Sequence, residues 1–295
     1  MSLAFIFPGQ GSQKLGMLED FSIYDSVIRD HFHRASDVLG LDLYIIAKNG
    51  PESELNKTEL TQPILLTFST ALWSVYANSG RDLPAFLAGH SLGEYSALVA
   101  GGAMRFEDAV RLVHLRGQLM QKAVPAGQGL MAAVIGLSDE DVIASCESVG
   151  GVVSAANFNS PGQVVIAGEA QAVDAAIEAC KTAGARLAKV LPVSIPSHCA
   201  LMKSAADELA LAIDAMTITM PTIPVVQNVN ADVAHDVDEL KALLLAQLYS
   251  PVRWTDSVNT LIQHGVTECI ECGPQKVLCG LGKRINRDVV FTPFE

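Results

Sequence analysis

Ala85-Phe-Leu-Ala-Gly-His-Ser-Leu-Gly-Glu94 joins three signals in ten residues: a short apolar run, a serine between two glycines, and the start of a helical pattern lasting to about Ala100. Ala85–Ala88 reads as a buried strand. Gly89-x-Ser91-x-Gly93 then fits a tight strand-to-helix turn that leaves no space for bulky neighbours. Such a turn presents the serine Oγ at the open end of a sheet. It also sets the amide of the next residue, Leu92, at a helix N-terminus, where it can bind an oxyanion. A helix-capping serine without chemistry fits the same five residues, so the motif opens the question of function without closing it.

Working outward, Leu3–Phe7 is a second short apolar run, stopped by Pro8-Gly9 and a polar loop to Gly16. A helical region follows through Val38. Gln62-Pro63 breaks the chain, and Ile64–Tyr76 is apolar enough for a core helix. Phe106, Val110, Val113, Gly117 and Met120 recur at helical spacing, with Arg116 and Gln121 beside the stripe. Val124–Gly129 reads as a linker, and the rhythm changes after it.

Leu130–Ile135 reads as a strand. Ser138, with Asp141 three residues on, opens a helix to about Val149. Val152–Ala156 and Val164–Ala167 are strands joined by a turn at Asn157–Gly162. Gln171–Ala183 is a helix, and Arg186–Leu191 a last strand. The order β-α-β-β-α-β is that of a ferredoxin-like unit. The chain is thus read as a ferredoxin-like insert, 125–196, within a larger, discontinuous α/β domain formed by 1–124 and 197–295. Beyond His198 come a helix, a strand at Ile223–Val229, helices at Val237–Leu248 and Ser257–His264, a strand at Val266–Glu271 and a final helix at Lys276–Ile285.

With 295 residues and 49% hydrophobic content, the chain can bury a large core. Its formal net charge of −12 argues against nucleic-acid binding, which relies on Lys and Arg neutralising phosphates. No apolar run reaches transmembrane length, and Leu3–Phe7 is too short for a signal-peptide core, so a soluble cytoplasmic protein is expected. The six cysteines read as free thiols. Cys269-x-x-Cys272 lacks the second ligand pair of a structural zinc site and runs into Gly273-Pro274 as a strand into a turn, so no metal is expected.

A serine nucleophile needs a base, and there are seven histidines. His31, His33 and His235 lie in polar surroundings, His114 is mid-helix, and His264 precedes a glycine. His198 follows Pro196-Ser197 at the junction of the two proposed domains, where a cleft would form. From spacing alone it is equally a base or a capping histidine. Neither Glu94 nor Asp108 stands out as a third member; a backbone carbonyl could orient the imidazole instead.

The residues resemble the malonyl-CoA–acyl carrier protein transacylases and their polyketide-synthase relatives. The matching motifs are Phe7-Pro-Gly-Gln-Gly-Ser-Gln13, Thr61-Gln62-Pro63, Gly89-His-Ser-Leu-Gly-Glu94, Arg116-Gly117-x-Leu-Met120, Asn157-x-Asn159-Ser-Pro-Gly-Gln163, Pro196-Ser-His198 and Gln247-x-x-x-Pro251-Val-Arg-Trp254. They occur in order over nearly the whole chain. The resemblance implies an α/β-hydrolase-like large domain carrying the small insert. It implies Ser91 as nucleophile, His198 as base, the Gln10 and Leu92 amides as oxyanion hole, and the Gln247 carbonyl as the group that orients His198. It further implies Arg116 as the malonyl carboxylate's partner, Gln62 and His90 as secondary pocket residues, and Asn157 and Asn159 at the thioester entrance. Without it, Arg116 reads as an ordinary surface arginine on a helix.

The implied substrates are malonyl-CoA and the phosphopantetheine thiol of an acyl carrier protein, with no cofactor and a monomeric enzyme. A serine esterase, a non-catalytic carrier-binding subunit and a transferase of another acyl group are the rival readings. Gln275 departs from the family, which more often has a second glycine there. Carrier proteins are acidic, as this chain is, so docking would need a local basic patch. Lys181, Arg186 and Lys189 form one candidate, and Lys283, Arg284 and Arg287 another.

Overall fold

The first apolar run is the middle of a parallel sheet. In the computed structural model, which describes residues 2–193 and 195–295, β1 (Ser2–Phe7) pairs in parallel with β2 (Phe86–Gly89) on one side and β8 (Val266–Glu271) on the other. The short β7 (Val225–Val226) and β9 (Val290–Pro293) complete a five-stranded sheet of order β7-β2-β1-β8-β9. Its strands are continuous apolar runs because helices cover both faces. Phe5 and Phe7 point to one face, against Trp73; Ala4 and Ile6 point to the other, into the cluster around Trp254 and Val258. The first face is covered by α1 (Asp25–Leu39), α4 (Thr58–Ala77), α5 (Leu92–Ala100), α6 (Phe106–Ala123) and α9 (Lys203–Ala215), with the small helices α2 (Leu43–Asn49) and α3 (Glu52–Leu55) and α10 (Val237–Ala246) at its margin. The second is covered by α11 (Trp254–Gln263) and α12 (Val277–Ile285).

The remaining elements are β3 (Gly129–Ile135), α7 (Asp139–Glu147), β4 (Val153–Ser160), β5 (Gln163–Glu169), α8 (Ala170–Thr182) and β6 (Leu187–Val190). They form an antiparallel sheet of order β4-β5-β3-β6, the ferredoxin-like arrangement, with α7 and α8 on one face. Ser138 caps α7 by accepting the Asp141 amide at 3.1 Å, as its spacing predicts. The other face turns towards the large sheet: Met131, Ala156, Val165 and Ala167 pack around Cys199, next to His198. β4 is further tied to the segment before α11, with the Val252 amide on the Ala156 carbonyl and the Phe158 amide on the Val252 carbonyl, both at 2.9 Å.

Three expectations are corrected. Pro63 does not break the helix; it lies inside α4. A proline there cannot donate to the carbonyl four residues back, that of Glu59. That carbonyl instead accepts from His114 Nδ1 at 2.7 Å, so a side chain of α6 replaces the lost bond. Second, Asn157 and Asn159 are on β4 rather than in a turn; the strand runs on through two irregularities to Ser160, and Pro161-Gly162 alone make the turn. Third, the strand expected at Ile223–Val229 shrinks to two residues, and β9 was not foreseen.

Candidate active site

Ser91 stands between β2 and α5 at the carboxyl end of the parallel sheet, where ligands bind in open α/β folds. Its backbone has φ 52° and ψ −110°, a conformation costly for a residue with a Cβ. The flanking glycines are required by space. A Cβ on Gly89 would lie 1.9 Å from the Gly93 carbonyl carbon, and one on Gly93 would lie 1.9 Å from the Phe7 carbonyl oxygen. The neighbouring loop is equally close, since a Cβ on Gly9 would come within 2.5 Å of the His90 carbonyl. This brings Gln10 to the rim of the same cavity as Ser91 and Leu92. The Leu92 amide is the first of α5, and first-turn amides have no partner within their helix. Gln275 braces this loop, its Nε2 donating to the Ser12 carbonyl at 2.9 Å.

His198 Nε2 lies 2.8 Å from Ser91 Oγ. Its Nδ1 lies 2.7 Å from the Gln247 carbonyl. A carbonyl only accepts, so Nδ1 carries the proton and Nε2 is left free to accept from the serine. Among the described residues no carboxylate is hydrogen-bonded to the ring. Burial pushes the imidazole pKa down to about 3, and the Arg116 charge adds to the effect, so the ring is neutral.

Arg116 is not the surface residue its helical position suggests; it is 1% exposed. Gly117 allows this. A Cβ there would lie 2.6 Å from Glu59 Cα, so α6 can lie directly on α4. The guanidinium donates to Gln62 Oε1 at 2.8 Å, to Gln247 Oε1 at 2.9 Å and to Ser91 Oγ at 3.3 Å. It stacks over the Tyr95 ring at 5.3 Å. Gln62 and the Gln247 side chain therefore sit behind Arg116, and Gln247 Nε2 also holds the Ser91 carbonyl at 3.0 Å. His90, Asn157 and Asn159 line the cavity beside Ser91, with His90 Nε2 and Asn159 Oδ1 2.8 Å apart. The cavity measures about 260 Å³ and is walled on its other side by apolar residues such as Met131, Leu191 and Val193.

Two residues of this constellation were missed by sequence reasoning: Tyr95, under the Arg116 guanidinium, and Asn228. Asn228, fully buried, contacts both ends of the serine turn, and its amide donates to the buried Glu94 carboxylate. Its only sequence signal was its place near the end of the strand expected at Ile223–Val229.

A serine hydroxyl, a neutral imidazole and a buried guanidinium with no ion pair among the described residues thus meet in one cleft, which Gln10 and Leu92 also line. Known proteins resemble this chain along nearly its whole length. The acyl transferase domain family matches residues 4–287. The malonyl CoA-acyl carrier protein transacylase of Salmonella typhimurium is 54% identical over 284 residues, covering 96% of this chain and 92% of that protein. The acyl carrier protein S-malonyltransferase of Vibrio cholerae superposes with a TM-score of 0.95 at 52% identity, covering 99% and 96% of the two chains. A malonyl-transacylase solved in complex with its type II PKS acyl-carrier protein superposes with a TM-score of 0.96 at 50% identity, covering 99% and 95%. The chain belongs to the acyl transferase domain family, among the malonyl CoA-acyl carrier protein transacylases.

Proposed function

We propose that this enzyme moves a malonyl group from malonyl-CoA to the phosphopantetheine thiol of an acyl carrier protein, through a malonyl-serine on Ser91. One observation supports this most: a buried arginine, 3.3 Å from Ser91 Oγ and without a carboxylate partner among the described residues. An unpaired buried cation is costly, and a carboxylate in the cleft would relieve that cost through two parallel charge-assisted hydrogen bonds.

In the first half-reaction His198 Nε2 takes the Ser91 proton as Oγ attacks the thioester carbonyl. The oxyanion is held by the Gln10 and Leu92 amides. The protonated imidazole then gives its proton to the departing sulfur, and coenzyme A leaves. In the second, the pantetheine thiol surrenders its proton to His198 and attacks the malonyl-serine; the imidazolium gives that proton to Ser91 Oγ as it leaves, and malonyl-carrier is released with Ser91 and neutral His198 restored. His90, Asn157 and Asn159 flank the path of the thioester. The imidazolium formed on the way has only the neutral Gln247 carbonyl behind it, and the Arg116 charge opposes it. A malonyl carboxylate on Arg116 offsets that charge, so the acid group of the substrate assists the base as well as binding. Protons, nucleophile and leaving group are all accounted for without a cofactor.

The catalytic unit on this reading is 1–124 with 197–295, and 125–196 forms the opposite wall of the cleft. The cleft is lined on one side by Leu191 and Val193, just after β6, and on another by Val277, Leu278 and Leu281 of α12. Arg186 precedes and Lys189 lies on β6; Lys283 and Arg284 lie on the last turn of α12 and Arg287 just beyond it; all five are exposed. These two patches are where an acidic carrier would dock from either side, with Lys181 already paired to Glu178 at 2.7 Å. The enzyme acts as a monomer in the cytoplasm; among the described residues no helix is long and apolar enough to cross a membrane.

The test is transfer of labelled malonyl from malonyl-CoA to a phosphopantetheinylated carrier protein. Wild type should form malonyl-carrier protein. His198→Ala should slow the reaction by about 10²–10⁴-fold, the usual contribution of a general base. Lys189→Glu and Arg287→Glu should raise the KM for carrier and spare reaction with malonyl-CoA. Release of free malonate in place of malonyl-carrier would favour a hydrolase.

A further inference from the structure

Ser91 keeps a positive φ that a serine does not adopt unaided, and such conformations persist only where the surroundings over-determine them. The surroundings here include one side chain that touches both ends of the turn. Asn228 Oδ1 accepts the Ser91 amide at 2.7 Å, and Asn228 Nδ2 donates to the Gly89 carbonyl at 2.6 Å. Asn228 is itself anchored at both ends of its backbone. Its amide donates to Glu94 Oε2 at 2.7 Å, and its carbonyl accepts the Arg253 amide at 3.0 Å. All its hydrogen-bonding groups are thus engaged, and both Asn228 and Glu94 are fully buried. Glu94 lies on α5, three residues past Ser91, so the loop of contacts closes on the turn: Ser91 to Asn228 to Glu94 and back through the first turn of the helix.

We propose that Asn228, anchored by Glu94, is a positioning residue that holds Ser91 Oγ in line with His198 and sets the Leu92 amide towards the reacting carbonyl. The proposal rests on Ser91 being the nucleophile. The hydrogen bonds described for Ser91 Oγ are to Arg116 and His198, not to Asn228 or Glu94; both act through the backbone of the turn. Asn228 grips the amide and carbonyl that bracket His90, fixing the two peptide planes whose rotation would swing Oγ away.

The experiment is single-turnover malonylation of the intact enzyme, followed by rapid quench and intact mass, alongside thermal unfolding. Affinity for malonyl-CoA is measured separately in a Ser91→Ala background with and without Asn228→Ala. Asn228→Ala should slow acylation by about 10²-fold, the cost of misplacing a reacting atom by an ångström, and leave the Kd for malonyl-CoA unchanged. Glu94 supplies the second arm should Asn228→Ala not fold. Glu94→Gln keeps an acceptor for the Asn228 amide and should stay within about tenfold of wild type, whereas Glu94→Leu removes it and should fall well below that. An acylation rate unchanged in Asn228→Ala would overturn the proposal. So would a rate that falls only in step with Kd, or a Glu94→Gln enzyme as slow as Glu94→Leu. Absence of any malonyl adduct on wild type would instead overturn Ser91 as nucleophile, which separates the two failures.

Discussion

The Arg116 guanidinium lies 3.3 Å from Ser91 Oγ and is otherwise held by two carboxamide oxygens, those of Gln62 and Gln247. Among the described residues it makes no ion pair; the buried Glu94 carboxyl acts on it only through space. On the proposed function, a malonyl carboxylate would pair with this cation beside Ser91.

Arg116→Ala should therefore lower kcat/KM for malonyl-CoA by at least about 100-fold, the value of a bidentate charge-assisted pair, and change acetyl-CoA far less. Equal losses for the two substrates would remove the carboxylate role. Arg116→Met should fold with a Tm no lower than wild type, because it removes a desolvated charge at similar volume. Steady-state kinetics and a melting curve on the same preparations check both.

The pH dependence separates two buried groups. His198 is held at about 3, below its unfolded value near 6.5. Above pH 6.5 neither state is protonated there; as pH falls from 6.5 towards 3 only the unfolded chain takes up the proton, and stability is lost. Glu94 is pushed up to about 7 by burial, from an unfolded value near 4.5. Its contribution is fully present below pH 4.5 and is lost as pH rises through 7. Glu94→Gln should thus gain stability at pH 8 relative to pH 4.5, measured by thermal unfolding at the two pH values. In single-turnover acylation the free enzyme should show no step at 6–7 from His198. If ionisation of Glu94 under the Asn228 amide sets a step in rate through pH 7, Glu94→Gln should flatten it.

Gly93→Ala tests the serine turn as packing. Its Cβ would meet the Phe7 carbonyl oxygen at 1.9 Å, and a backbone atom of a central strand cannot step aside. The cost should reach about 3 kcal/mol, the upper range for overpacking, read from denaturant unfolding.

His114 and Pro63 make a compensating pair. His114→Leu strands the Glu59 carbonyl, which should cost about 1–3 kcal/mol. Adding Pro63→Ala restores an amide four residues on and should recover part of that loss. A double-mutant cycle on unfolding free energies gives the coupling, and additive losses would contradict it.

Much of the fold was legible because its elements announce themselves. Short apolar runs ended by Pro-Gly or Gly-x-Ser-x-Gly became strands of the parallel sheet, and the β-α-β-β-α-β rhythm became the antiparallel one. What was illegible depends on partners distant in sequence. Pro63 looked like a break because nothing local reveals His114 replacing its bond. Asn157 and Asn159 looked like a turn because their polarity hides a strand whose side chains face a cleft. In the site, Ser91 follows from its turn. His198 and Arg116 were ambiguous by spacing, and only the ordered motifs of the resemblance singled them out. Asn228 was invisible, since a lone asparagine at a strand end carries no pattern, and its meaning lies in contacts 137 residues back along the chain.

The most direct measurement is the intact mass of the enzyme after incubation with malonyl-CoA alone. The predicted result is a single malonyl adduct, mapped to Ser91, absent in Ser91→Ala and discharged by a phosphopantetheine thiol with no matching release of free malonate. An enzyme that stays unmodified and does not turn over, or that carries malonyl on a residue other than Ser91, would contradict the account.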